Sequence, residues 1–333
     1  MQRKLPVFQT VGESLTFGLF HIFTVLRLAW LPMVLTFVVW FAALVLVFGS
    51  GIMAVLTAGV AEGFAGKDVL EQIIEGMAWE TVGLGFGAVA ILAYLTAALV
   101  TALLAGSYSV PIFRLAAIGD APPRGIFNLR IGPPQWRYLA ATVIQIVLIL
   151  IPVAAIVAGA FTLAALAGDG FGPLFNEILN DGESYSEVTG PAGWGIAAIA
   201  IIGVIFVIWL VLRLFTFLPA TAAEDRIALG SAFSMTGGNV WRLLGAAIIY
   251  GIALALISFA LEMALAITAL IGGALTVAIV AAFAGGGAGA AGAILGPLGV
   301  ILITALYILY FAYSLGVQLA FPAVAYKYLH RDG

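Results

Sequence analysis

Residues 194–218 read WGIAAIAIIGVIFVIWLVLRLFTFL, 25 residues interrupted by one charge, Arg213. A helix crossing the roughly 30 Å hydrocarbon core needs about 20 mostly apolar residues at about 1.5 Å each, and this stretch exceeds that. Four more runs qualify: about Leu28–Phe48, Val82–Ala105, Tyr138–Ala160 and Leu298–Phe321. The stretch Leu243–Ala284 is 42 residues long and holds one charge, Glu262. As one straight helix it would measure roughly 63 Å, so a turn is expected near Gly272-Gly273. Residues 268–284 could then be a re-entrant piece, an interfacial piece or a seventh span, and the internal repeat described below favours six spans.

The whole chain agrees with these runs. Of its 333 residues 64% are hydrophobic and 9% charged, with a mean hydropathy of +1.19. Soluble domains hold about 45–50% apolar and about 25% charged residues, so this composition excludes an ordinary water-soluble globule. The net charge of −3, with no dense Lys/Arg cluster, excludes a generally basic nucleic-acid binder. Without cysteine there is no disulfide, thiolate metal site or cysteine nucleophile, and two histidines, His21 and His330, offer little for a metal centre. The first apolar run is longer than the 7–15 residues of a signal h-region, so it is expected to remain as a span.

Six spans place 12 of the 13 basic residues on one side, Lys67 being the exception. Ten of the 16 acids fall in the opposite loops. Basic loops stay in the cytoplasm, which predicts that both termini are cytoplasmic. A seventh span would move Lys327 and Arg331 outside and spoil the pattern.

Segments leading into the odd-numbered spans resemble one another. Gly12-Glu-Ser-Leu-Thr-Phe…His21-Ile-Phe23 matches Gly230-Ser-Ala-Phe-Ser-Met…Asn239-Val-Trp241, and Gly132-Pro-Pro-Gln-Trp136-Arg137 matches Gly237-Gly-Asn-Val-Trp241-Arg242. The even-numbered spans end in Pro111-Ile-Phe-Arg-Leu-Ala, Pro219-Ala-Thr-Ala-Ala and Pro322-Ala-Val-Ala-Tyr. These features predict three tandem hairpins, approximately 1–118, 119–225 and 226–333, in one integral membrane domain. Each hairpin begins with an amphipathic cytoplasmic helix and ends on the side where it began. The copies are therefore parallel and related by a pseudo-threefold axis along the membrane normal, unlike the inverted repeats of many transporters.

In the first lead-in, Val11, Leu15, Leu19, Ile22 and Leu26 follow helical spacing. Trp30, Trp136 and Trp241, beside Arg27, Arg137 and Arg242, suit an aromatic belt with snorkelling cations that contact lipid or a partner protein. Outside, residues 62–80 read as an acidic amphipathic helix, 168–192 as a loop, and 285–297 as a Gly/Ala tract.

Chemistry is sparse. Gly287-Ala-Gly-Ala-Ala-Gly292 spells a dinucleotide fingerprint but follows no strand and lacks the acid about twenty positions on. Gly285/Gly289, Gly292/Gly296 and Gly83/Gly87 fit close helix packing better. No Walker loop, nucleophile elbow or His-Glu-x-x-His is present, and no cofactor is implied. Glu262 is the one carboxylate within a span, a candidate proton or cation site or a structural or interfacial acid. Tyr307, Tyr310, Ser314 and Gln318 share a face of the last span, with Gln145 at similar depth, as a polar lining or as interhelical hydrogen bonds. Arg213, Glu224, Asp225 and Arg226 suggest an ion-pair rim.

The stretches Leu229-Gly-Ser-Ala-Phe-Ser-Met-Thr-Gly-Gly-Asn239-Val-Trp241-Arg242-Leu-Leu and Phe217-Leu-Pro219-Ala-Thr-Ala-Ala resemble a broad group of bacterial six-span proteins. That group includes the membrane domain attached to some glycerophosphodiester phosphodiesterases. The resemblance implies a helical bundle in a bacterial cytoplasmic membrane. The phosphodiesterase barrel and its metal-binding acids and histidines have no counterpart here. The expected role is a non-enzymatic scaffold or accessory protein contacting membrane lipids or other membrane proteins, with a transporter or channel for a small or lipidic solute as the alternative.

Overall fold

The computed structural model describes residues 4–61, 79–166, 191–282 and 288–330. The expectations for 62–78 and 283–287, and all but the last two residues of 168–192, lie outside them. Among the described residues there is no strand, and the helices are α1 (Val7–Phe20), α2 (Ile22–Ala61), α3 (Trp79–Ile118), α4 (Pro133–Leu166), α5 (Pro191–Leu214), α6 (Phe217–Glu224), α7 (Leu229–Thr236), α8 (Val240–Ala282) and α9 (Ala288–His330). Six stretches are long and apolar enough to cross a membrane: Ile22–Ser50, Gly87–Ile118, Pro133–Leu163, Trp194–Glu224 (which runs from α5 into α6), Val240–Thr268 and Ile303–His330.

Two expectations need correction. No turn occurs at Gly272-Gly273, because α8 runs unbroken through both glycines to Ala282. A glycine in a helix costs only about 1 kcal/mol against alanine, and this stretch has no proline to break the backbone ladder. Opening the backbone in apolar surroundings costs several times more. The second correction concerns the amphipathic lead-in helices. Only the first and third hairpins have one, α1 and α7, whereas residues 119–132 are non-helical. Gly119 stops α3 with φ 74°, its N–H bonded to the Leu115 carbonyl. Pro122 and Pro123 disfavour helix in the residues before them, and the chain bends at Ile126 and Gly132 before Pro133 opens α4.

Nor does α1 lie free on the surface. It packs along α9 through Thr10, Ser14, Phe17 and Gly18, while Phe8, Leu19 and Phe20 point outward. The predicted stripe is thus divided, with Val11 buried and Leu19 exposed. Small and self-satisfied residues make the contact: Thr10 Oγ1 donates to the Pro6 carbonyl and Ser14 Oγ to that of Thr10. Gly18 and Gly316 let the backbones meet, since a Cβ added to Gly316 would stand 3.4 Å from the Gly18 Cα. Gly87, by contrast, faces open space, so nothing packs closely there.

The long helices pair as α2–α3, α4–α5 and α8–α9. Contacts of α3 with α4, α5 with α8 and α9 with α2 close the ring. The three proline-containing segments meet inside it, with Ile112 and Phe113, Phe217 and Ala220, and Ala323 and Tyr326 all buried. This core sits at the end where the described chain begins and ends. Further along, Phe37, Leu44, Ile91, Leu150, Ile205, Leu256 and Ile301 are exposed, so the hairpins bury little beyond the collar.

Candidate functional site

The collar is built from the segments that connect one hairpin to the next, and each is held by an arginine. Arg27 Nη2 donates to the Pro123 carbonyl at 3.3 Å, Arg137 Nη1 to Asp225 Oδ1 at 3.4 Å, and Arg242 Nη1 to the Leu5 carbonyl at 3.3 Å. Arg27 and Arg242, at the start of inbound spans, reach the segment leading into another hairpin, whereas Arg137 reaches the last residue of its own. Asp225 also takes Arg114 at 2.6 Å, and Arg114 Nε donates to the Ala222 carbonyl at 2.8 Å. That carboxylate is positioned by a left-handed residue: Asp225 ends α6 with φ 54°, a conformation aspartate tolerates better than most side chains.

Further polar contacts tighten the same end. Asn239 Oδ1 accepts the Leu5 N–H at 3.0 Å, both residues being buried. Glu224 pairs with Arg226 at 2.7 Å and accepts hydrogen bonds from Ser231 and Tyr326. Glu13 joins α1 to α9 through Lys327 and Tyr328. The expected rim therefore forms with Glu224, Asp225 and Arg226. Arg213 stands apart from it, donating to the Phe233 carbonyl with its guanidinium beside the Trp209 and Phe233 rings.

The three tryptophans divide. Trp30 is half-buried against the 119–132 segment and donates Nε1–H to the Ile126 carbonyl at 2.8 Å. Trp136 and Trp241 are 54% and 83% exposed and remain available to a lipid or a protein. The arginines beside them are committed within the chain, which their spacing in the sequence did not disclose.

Polar residues of the spans do not converge. Gln318 is exposed, while Tyr310 and Ser314 are half-buried on the same helix. Gln145 is half-buried with its Oε1 enclosed and unpartnered. Glu262 is exposed and forms no ion pair among the described residues. Tyr310 lines an open groove of about 660 Å³ whose other walls are largely apolar: Leu15, Leu19, Ile257, Leu261 and Leu306. A second groove of about 660 Å³ lies between α2 and α3 against Phe37, Phe41, Ile91 and Leu95. No cluster of histidine and acidic residues that could hold a metal occurs among the described residues.

Sequence reasoning missed the Gly18–Gly316 crossing and the capture of Leu5 by Asn239. The only visible signal for the second was the placement of Asn239 just before Trp241-Arg242. The six apolar helices and exposed apolar periphery define a helical, multi-pass membrane protein. Beyond that class, no family model, curated protein or solved structure matches the chain.

Proposed function

We propose that this chain is a non-enzymatic membrane scaffold or accessory protein, contacting lipids or partner membrane proteins through three tandem hairpins. The proposed setting is a bacterial cytoplasmic membrane, with both termini and the arginine collar inside the cell. The basic bias of the collar loops supports that orientation. One observation carries the functional reading: the ring is filled where its helices meet. Ile112, Phe113, Phe217, Ala220, Ala323 and Tyr326 are buried there, and Gln145, Tyr310, Gln318 and Glu262 line no common passage among the described residues. A solute path would need polar groups facing one another across water, as intramembrane carriers arrange them.

The purified chain in proteoliposomes tests this. Flux of ions, amino acids and short-chain lipids is expected to stay at the level of protein-free vesicles. Robust flux abolished by Glu262→Gln would overturn the scaffold reading and establish the transporter alternative.

A further inference from the structure

We infer that the recess between the end of α3 and residues 119–132 binds the headgroup of an aminophospholipid, a phosphate ester bearing a primary ammonium. The inference rests on the lipid-contact reading above and names the lipid. The recess has a volume of about 230 Å³, and Ser107, Arg114, Asp120, Asn128, Arg130 and Gln135 supply its polar lining. One water needs about 10–15 Å³, so there is room for a small polar group but not for a whole lipid.

Two of these side chains have little exposed surface and leave hydrogen-bonding atoms free toward the recess. Gln135 is 7% exposed, and its Oε1 accepts the Gly132 N–H at 3.1 Å, which leaves both Nε2 hydrogens without a partner. Asn128 is 6% exposed, and its Nδ2 donates to the Gly125 carbonyl, which leaves Oδ1 free. Both atoms are accessible from the recess, and a ligand that offers an acceptor and a donor would engage both. The start of α4 contributes no donor. Pro133 and Pro134 have no N–H, and the N–H groups of Gln135 and Trp136 already bond the Gly132 carbonyl. Recognition therefore belongs to the side chains.

Charge selects the class of headgroup. Arg114 is held by Asp225, so the lining charges without an ion pair among the described residues are Arg130 and Asp120. A plain anion would leave Asp120 facing a like charge, whereas a zwitterion answers both. Its phosphate accepts from Arg130 and the Gln135 amide, and its ammonium donates to Asp120 and Asn128 Oδ1. A quaternary ammonium has no hydrogen to donate and is held by aromatic faces instead. No Trp, Tyr or Phe lines this recess, which favours a primary amine. The source is a lipid because the same segment exposes Ile126, Phe127 and Ile131 beside Arg124 and Arg130, and Trp136 follows Gln135 directly. Apolar and basic side chains together on one segment suit the headgroup region.

The test uses the full chain in detergent, with lipid retention read by native mass spectrometry. Phosphatidylethanolamine should be retained about tenfold better than phosphatidylcholine or phosphatidylglycerol, the worth of one charge-assisted hydrogen bond. Asp120→Asn should bring the ratio near one, Arg130→Gln should lower retention of all three lipids, which share the phosphate, and Arg124→Gln, outside the lining, should leave both readings unchanged; all three residues are exposed. Equal retention of the choline lipid, a preference for the glycerol lipid, or indifference to both variants would overturn the inference. Displacement by micromolar phosphoethanolamine or inorganic phosphate would overturn the lipid as the source. Because the chain has no cysteine, a polarity-sensitive dye on Phe127→Cys reports bilayer contact separately. A blue-shifted dye without headgroup preference would sink this inference and leave the lipid-contact reading standing, whereas an unshifted dye would sink both.

Discussion

Replacing Gly18 and Gly12 by alanine, on the same helix, should move stability in opposite directions. Both glycines lie inside α1, and alanine at a helix interior gains about 0.5–1 kcal/mol over glycine wherever the methyl has space. At Gly12 nothing lies within 4 Å of the added Cβ, so Gly12→Ala should show that gain. At Gly18 the Cβ would overlap the Val317 Cγ2 and stand 3.1 Å from the Tyr313 carbonyl oxygen and 3.2 Å from the Val317 nitrogen. Overpacking of this kind costs about 1–3 kcal/mol. The backbone gain is common to both variants, so their difference isolates the clash. Gly316→Ala, whose Cβ would meet Val25 Cγ2 at 3.1 Å, should fall between them and serves if Gly18→Ala does not fold. Adding Val317→Ala to Gly18→Ala should recover only part of the loss, because the two backbone atoms cannot retreat. Thermal midpoints in one detergent, read by loss of the monodisperse peak in size exclusion, supply the comparison. Equal midpoints for Gly12→Ala, Gly316→Ala and Gly18→Ala would refute the reasoning, since α1 would then not be pressed against α9.

Three other outcomes follow from the collar and the hairpins. Asn239→Ala leaves the buried Leu5 N–H without this acceptor, a loss of about 1–3 kcal/mol, and hydrogen exchange should speed at Leu5 while the α4–α5 hairpin stays protected. Asp225→Asn weakens the 2.6 Å pair with Arg114, and because Asp225 is half exposed the expected loss is about 1 kcal/mol, shrinking in high salt and visible as faster proteolysis between α6 and α7. Gly203→Ala places a methyl 2.5 Å from the Ile156 Cδ1, so cross-linking between cysteines introduced on α4 and α5 should slow, whereas Gly251→Ala, in open space, should leave its hairpin unaffected.

The spans were legible because the bilayer is an exacting solvent. Any 20-residue apolar run with few charges must satisfy its backbone internally, which makes helix the only local solution. The same rule misled at Gly272-Gly273, where length alone suggested a turn, and the unbroken ladder proved decisive. The lead-in segments were legible only in part. Val11 and Leu15 do lie on a helix and pack, but Leu19 is exposed, and the closest approach to α9 is made at Gly18, since between apolar helices small residues let backbones meet.

Sequence alone determined that this is an all-helical chain with six apolar runs and a basic bias on one side, because hydropathy and charge are local properties that depend on no partner. The tertiary structure decided what each polar residue does there. Arg27 and Arg242 bind backbone carbonyls far along the chain, Arg137 shares Asp225 with Arg114, Trp241 stays open, and Asn128 and Gln135 close a recess around unspent hydrogen bonds. Those outcomes depend on which segment the ring closure brings within hydrogen-bond reach, and the residues involved stand as many as 237 positions apart.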